Sequence, residues 1–185
     1  MAGPQVETNL ETERLVLEPL RREHARHLFQ ALSDTRIYSF IPQDAPLSLA
    51  ALQARYERLE ARRSNAADEV WLNWAIRLKA QARYVGTVQA TIRQDRTALL
   101  AYELSPEFWR QGIATESCQR VIESLFAEHA VAEILAEVDT RNTASWMLLE
   151  RLSFERTGLR QRADFFKGEF SDEYTYRLRG RAGVA

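Results

Sequence analysis

A single cysteine, Cys118, stands in a chain of 185 residues, so neither an intramolecular disulfide nor a cysteine-built zinc cage can form. Histidines are almost as scarce, at His24, His27 and His129. His24 and His27 lie three apart, but their neighbours Arg22, Glu23 and Arg26 predict a solvated helix face and no metal site. Neither sign of charge prevails, with 25 Lys and Arg against 26 Asp and Glu. The chain therefore carries no overall field toward nucleic acid or an anionic membrane, although a local charged cleft stays open. No stretch approaches the roughly 20 apolar residues that span a bilayer. Glu7, Glu11 and Glu13, with no apolar run among them, argue against a signal peptide. These absences predict a reduced, cytoplasmic chain.

The residues that are present suit a packed core: 45% are hydrophobic and 28% charged. No repeat, low-complexity tract or linker interrupts them, which predicts one domain over 1–185, with a core of about 12–178 and ragged ends. Arg14 to Pro19 reads as a short strand, and Ala25, Leu28, Phe29 and Leu32 follow helical spacing. An aromatic loop, Tyr38 to Pro42, precedes a second helix that Ser48 can cap. Val70 to Leu78, Gly86 to Ile92 and Ala98 to Leu104 alternate as strands with short connections, an antiparallel meander.

Ala114, Cys118, Val121, Ile122, Leu125 and Phe126 then recur at helical spacing. Ile134 to Val138 is the next strand, Asn142 opens a further helix, and strands near Phe154–Gln161 and Phe170–Leu178 meet at Lys167-Gly168. Strand, helix and strand from Leu99 to Val138 require a crossover, so those two strands should run parallel. The expected class is α+β, a mixed sheet flanked by helices.

Where the third meander strand meets its helix stands Trp109-Arg110-Gln111-Gly112-Ile113-Ala114-Thr115. Small residues at a helix start expose unpaired N–H groups at the positive end of the macrodipole, and Arg110 adds charge. Such a turn can cradle a pyrophosphate or can simply begin a helix. Cys118 lies at a core position of that helix, which argues against a covalent acyl-enzyme.

This stretch resembles the pyrophosphate loop Q/R-x-x-G-x-G/A of the GNAT superfamily of N-acetyltransferases, with Gly112 and Ala114 in register and Trp109 at the Gln/Arg position. The segment Pro106 to Glu116 is similar to the branch that acetylates ribosomal-protein N-termini, the RimJ/RimL type. Thr12-Glu-Arg-Leu-Val-Leu17 and Asn142-Thr-Ala-Ser145, followed by Leu149 to Phe154, are similar to other segments of that branch. Ser153 replaces the usual glycine there, which predicts a strained turn.

The resemblance implies a mixed, mostly antiparallel seven-stranded sheet with about four helices, and acetyl-CoA held by Trp109 to Thr115 together with Leu104, Asn142 and Ser145. It implies no metal, and leaves monomer and homodimer both open. The family's fourth and fifth strands splay around the thioester. The Leu104 N–H is then the oxyanion contact, worth about 3 kcal/mol in the transition state. Ser145 becomes the donor to the leaving thiolate; in the plainer reading, Asn142 and Ser145 merely start a helix.

Glu103 is the first-choice base, with Glu137 and Asp139 behind it; each can equally be a solvated or paired carboxylate. The aromatic loop at Tyr38–Pro42 and the turn at Phe165–Lys167 are similar in location to acceptor-shaping segments. The implied reaction is direct acetyl transfer to a primary amine, a protein N-terminal α-amine by preference. A small-molecule amine and a non-catalytic acyl-CoA sensor are the alternatives.

Overall fold

The computed structural model describes residues 8–64 and 66–180; of the ragged ends expected up to about Leu10 and from Gly180 to Ala185, residues 1–7 and 181–185 lie outside them. Eight strands form one sheet: β1 (Leu10–Glu11), β2 (Leu15–Pro19), β3 (Glu69–Leu78), β4 (Arg83–Arg93), β5 (Thr97–Leu104), β6 (Glu133–Asp139), β7 (Glu155–Phe166) and β8 (Glu169–Arg179). Their order is β1-β2-β3-β4-β5-β6-β8-β7, antiparallel throughout except for β5 and β6. Four α-helices accompany them: α1 (Ala25–Leu32), α2 (Leu49–Leu59), α3 (Ile113–Glu128) and α4 (Thr143–Arg151).

The sheet has one strand more than expected. Leu10, read from sequence as the end of a ragged terminus, and Glu11 after it pair with Leu17 and Val16, and Leu10 is buried. Two residues are too few to show alternation, so only the pairing reveals them. β7 also runs five residues past its expected end at Gln161, because the hairpin continues through an irregularity between Arg160 and Asp164.

Alternation along the strands divides the core in two. Leu15, Leu17, Leu72, Trp74, Ile76, Val88, Leu100 and Ile134 pack on one face with Cys118, Val121 and Leu125 of α3 and Leu148 and Leu149 of α4. Leu28 and Leu32 of α1 and Leu52 and Tyr56 of α2 close over Ala75 on the other. Each fully buried leucine contributes about 1.5–3 kcal/mol, so both layers fix the sheet firmly between helices. Ser48 caps α2 as expected, its Oγ accepting the Ala51 N–H at 3.1 Å.

His24 departs from the expected solvated face, being only 5% exposed. A 3-10 turn, Arg22–His24, rotates it inward. Its Nδ1 accepts the Arg21 N–H, leaving Nε2–H to face Glu18, which also takes bonds from Tyr84 and Arg77. That knot anchors α1 to β2, β3 and β4. No described helix is long and apolar enough to cross a membrane.

Candidate active site

β5 and β6 are parallel neighbours that pair through only three residues, Thr97–Leu99 against Glu133–Leu135. Beyond that point β5 stays with β4 as far as Leu104, while all seven residues of β6 stay with β8. Each strand follows its other neighbour, and a gap opens between them. Ser105 N–H donates to the Val85 carbonyl at 2.9 Å, and Pro106 then ends the strand. Because amides alternate sides along an antiparallel ladder, the Leu104 N–H turns away from β4 toward the gap. The Leu104 carbonyl faces the same way and accepts Trp109 Nε1 at 2.8 Å. Trp109 thus ties the loop before α3 to the end of β5.

Within that loop Arg110 has φ 59° and Gly112 φ 79°, both left-handed. The Glu116 N–H bonds to the Gly112 carbonyl, so the amides of Ile113, Ala114 and Thr115 precede the first helical hydrogen bond. Among the described residues no side chain caps this end of α3. Gln111 is held by its Nε2, which donates to the Glu107 carbonyl, and by its own carbonyl, which accepts Arg14 Nη1. Arg14 also grips Glu116, and Thr12 Oγ1 and the Arg14 N–H donate to the same carboxylate. These contacts hold the Glu116 pKa below its usual value despite burial. An uncapped, positively polarised helix start with a glycine at its cap is suited to a pyrophosphate. The residues present therefore fit acetyl-CoA.

Across the gap, α4 begins behind β6. Asn142 Oδ1 accepts the Ser145 N–H at 3.2 Å, the cap expected of it. Ser145 Oγ lies 3.0 Å from Tyr102 Oη, which projects from β5 on the α3 and α4 face. Burial pushes the Tyr102 phenol up to about 12. Cys118 is fully buried and also pushed up to about 12, so it stays a thiol. A nucleophilic role would require the thiolate.

Glu103 points to the opposite face. It accepts hydrogen bonds from Gln43 Nε2 at 3.1 Å and Arg55 Nη2 at 3.3 Å. Its charge adds to burial in raising the phenols of Tyr38 and Tyr56. Gln43 belongs to a loop latched by Lys167, whose Nζ donates to the carbonyls of Ile41 and Gln43. Hence the aromatic loop and the β7–β8 turn do meet, with Phe165 and Phe170 half-exposed at the hairpin tip.

The other two expected carboxylates lie on this face as well. Asp139 is buried and held by Arg141, which also pairs with Glu169, and by Ser171. These bonds keep its carboxyl low against burial. Glu137 pairs with Arg160 at 2.7 Å. Glu173, opposite Asp139 on β8, was missed from sequence; burial and the nearby charges of Glu137, Asp164 and Asp139 raise its pKa. Tyr102 was missed too, although a hydroxyl between Leu100 and Leu104 on an apolar face was a usable signal. Nothing in the sequence could have marked Arg14 as a clamp on α3. Among the described residues no cluster of three or more His, Cys, Asp or Glu could hold a metal.

The arrangement pairs an anion-binding helix start with a gap that has hydroxyls on one face and a carboxylate on the other. Comparison with known proteins identifies the family. The family model described as an acetyltransferase (GNAT) domain matches residues 14–155. The chain is 24% identical over 171 residues to the N-acetyltransferase YoaA of Bacillus subtilis, covering 91% of this chain and 95% of that one. It is 27% identical over 152 residues to an FsC-acetyl coenzyme A-N(2)-transacetylase of Aspergillus fumigatus, with 76% and 62% covered. In fold it is similar to RimL, a ribosomal L7/L12 alpha-N-protein acetyltransferase in complex with coenzyme A, at a TM-score of 0.84 and 17% identity over 95% of this chain and all of that one. The ribosomal-protein-S5-alanine acetyltransferase of Vibrio fischeri gives 0.82 and 16%, over 95% and 98%. This chain belongs to the GNAT acetyltransferase family and is an N-acetyltransferase that uses acetyl-CoA.

Proposed function

We propose that the protein acetylates a protein or peptide N-terminal α-amine by direct attack on the thioester, within one catalytic domain. Acetyl-CoA supplies the activated acyl group. The first-turn amides of Ile113, Ala114 and Thr115, with Arg110 beside them, hold its pyrophosphate. The Leu104 N–H stabilises the negative charge that develops on the acyl oxygen. Glu103 receives the proton shed by the amine, and Ser145 donates one to the leaving sulfur.

The observation that carries the acceptor class is the state of Glu103. Its carboxylate is already engaged by Arg55 and Gln43, so little of it is free to assist an incoming amine. An α-amine of pKa about 7.7–8.0 is roughly a tenth neutral at pH 7, a cost of about 1 kcal/mol. A lysine at about 10.4 costs about 4.6 kcal/mol to deprotonate. Weak assistance therefore suits the α-amine. The names of the two ribosomal-protein acetyltransferases of similar fold support the same choice.

The test is a competition between a peptide with a free N-terminus and the same peptide blocked there but carrying lysine. Faster acetylation of the free N-terminus is expected, and faster acetylation of the blocked peptide overturns the reading. The FsC relative supports a second reading, a small-molecule amine acceptor, which turnover with small amines and silence on both peptides would favour. Binding of acetyl-CoA with no thiol release for any amine would point instead to a sensor.

A further inference from the structure

We infer that Tyr102 is a positioning residue that aims the Ser145 hydroxyl into the gap. This rests on the reading of Ser145 as proton donor to the sulfur. The two side chains come from opposite walls, β5 and the first turn of α4, and meet at 3.0 Å. A serine in a helix can turn its hydroxyl back on the preceding turn. Ser117 does so in α3, donating to the Ala114 carbonyl at 3.1 Å, and Ser33 does so at the end of α1, donating to the Phe29 carbonyl.

Ser145 instead faces Tyr102. The Tyr102 phenol is buried and keeps its proton near neutral pH, so it has an O–H to donate to Ser145. In the orientation this inference assigns, Tyr102 donates to Ser145 Oγ, which leaves the Ser145 O–H to point into the gap. The Asn142 cap already fixes the Ser145 backbone, so the Tyr102 bond sets the remaining torsion. In the reaction the C–N bond forms and the C–S bond breaks, its electron pair passing to sulfur. Sulfur takes the Ser145 proton, Glu103 takes the one the amine sheds, and Glu103 returns it through solvent to Ser145. Tyr102 keeps its own proton throughout.

The test is a four-variant cycle: wild type, Ser145→Ala, Tyr102→Phe and the double variant. Acetyl transfer to hydroxylamine, corrected for the uncatalysed rate, serves as the assay because this small nucleophile needs no acceptor recognition. Tyr102→Phe keeps the ring, so the fold is retained. Each single variant should lower kcat about tenfold or more, with KM for acetyl-CoA within about twofold. The double variant should be no slower than Ser145→Ala alone, since Tyr102 acts through Ser145. Additive losses, or a raised KM with kcat intact in Tyr102→Phe, overturn the inference and leave the Ser145 reading standing. Full kcat in Ser145→Ala overturns both.

Discussion

A Cβ placed on Gly86 would lie 2.2 Å from the Glu103 carbonyl oxygen and 3.0 Å from the Leu104 Cα. The end of β5 therefore approaches β4 more closely than any side chain at position 86 allows. Leu104 is positioned by that approach, with its N–H turned to the gap. Gly86→Ala should push β5 off β4 and cost about 1–3 kcal/mol of stability, the usual price of overpacking. The melting temperature should fall by roughly 2–12 °C for a chain of this size. Turnover should fall more than acetyl-CoA affinity, because the helix start of α3 is untouched. Wild-type kcat in this variant would refute the role given to the Leu104 amide.

Acetyl-CoA affinity should depend on the helix start. Gly112→Asp adds a negative charge where the pyrophosphate is proposed to sit and should weaken binding about a hundredfold, roughly 2.7 kcal/mol. Gly112→Ala is the control for strain at φ 79°, and should lose less. Calorimetry giving equal affinities for Gly112→Asp and wild type would remove the loop from the cofactor site.

The base can be told apart by its pH profile. Glu103→Gln should abolish the acidic limb of the kcat/KM profile, whereas Glu173→Gln should leave it in place. The reverse pattern would transfer the role to Glu173, whose pKa is raised by burial and by the charges of Glu137, Asp164 and Asp139.

Acid should destabilise the fold in a definite direction. Asp139, Glu116 and Glu18 have folded pKa values held below their ordinary ones. A depressed carboxyl stabilises above its unfolded pKa near 4 and loses that contribution as pH falls through the folded value. The melting temperature should decline most steeply below about 4, after a shallower loss as pH falls through about 6.5, where burial of His129 opposes its protonation. Asp139→Asn leaves Arg141 partly exposed and still paired with Glu169, so its cost should be about 2 kcal/mol, less than for a fully buried pair. Its acid decline should also be shallower. A slope identical to wild type in scanning calorimetry would remove Asp139 from this account.

Ser153 offers a gain. α4 ends with Ser153 N–H donating to Glu150 and Phe154 N–H donating to Leu149, and Ser153 sits at φ 67°. That geometry favours glycine, so Ser153→Gly should stabilise by about 0.5–1 kcal/mol, with kcat/KM unchanged. Denaturant melts with no gain would mean the turn carries no strain.

Local chemistry determined much of this protein before any contact was known. Period-two alternation from Val70 to Leu104, helical spacing from Ala114 to Phe126, the Ser48 and Asn142 caps and the glycine at 112 are each set by neighbours within a few residues, so the sequence alone determined them. The parallel relation of β5 and β6 followed from the crossover that α3 demands.

Tertiary structure decided what depends on distant partners. Leu10 became a strand only because Leu17 was available to pair with it, and His24 turned inward only because Glu18 lay beneath it. Glu103, Glu137, Asp139 and Glu173 look alike as carboxylates in a sequence. Arg55 reaches Glu103 from 48 residues away and Arg160 reaches Glu137 from 23, Glu173 is raised by burial and by Glu137 and Asp139, and Asp139 has a local partner, Arg141. Tyr102 and Ser145 are 43 residues apart, and no spacing rule connects them. The gap that unites the site exists because β5 and β6 each keep faith with another strand, and such a competition between long-range pairings is settled only in the folded sheet.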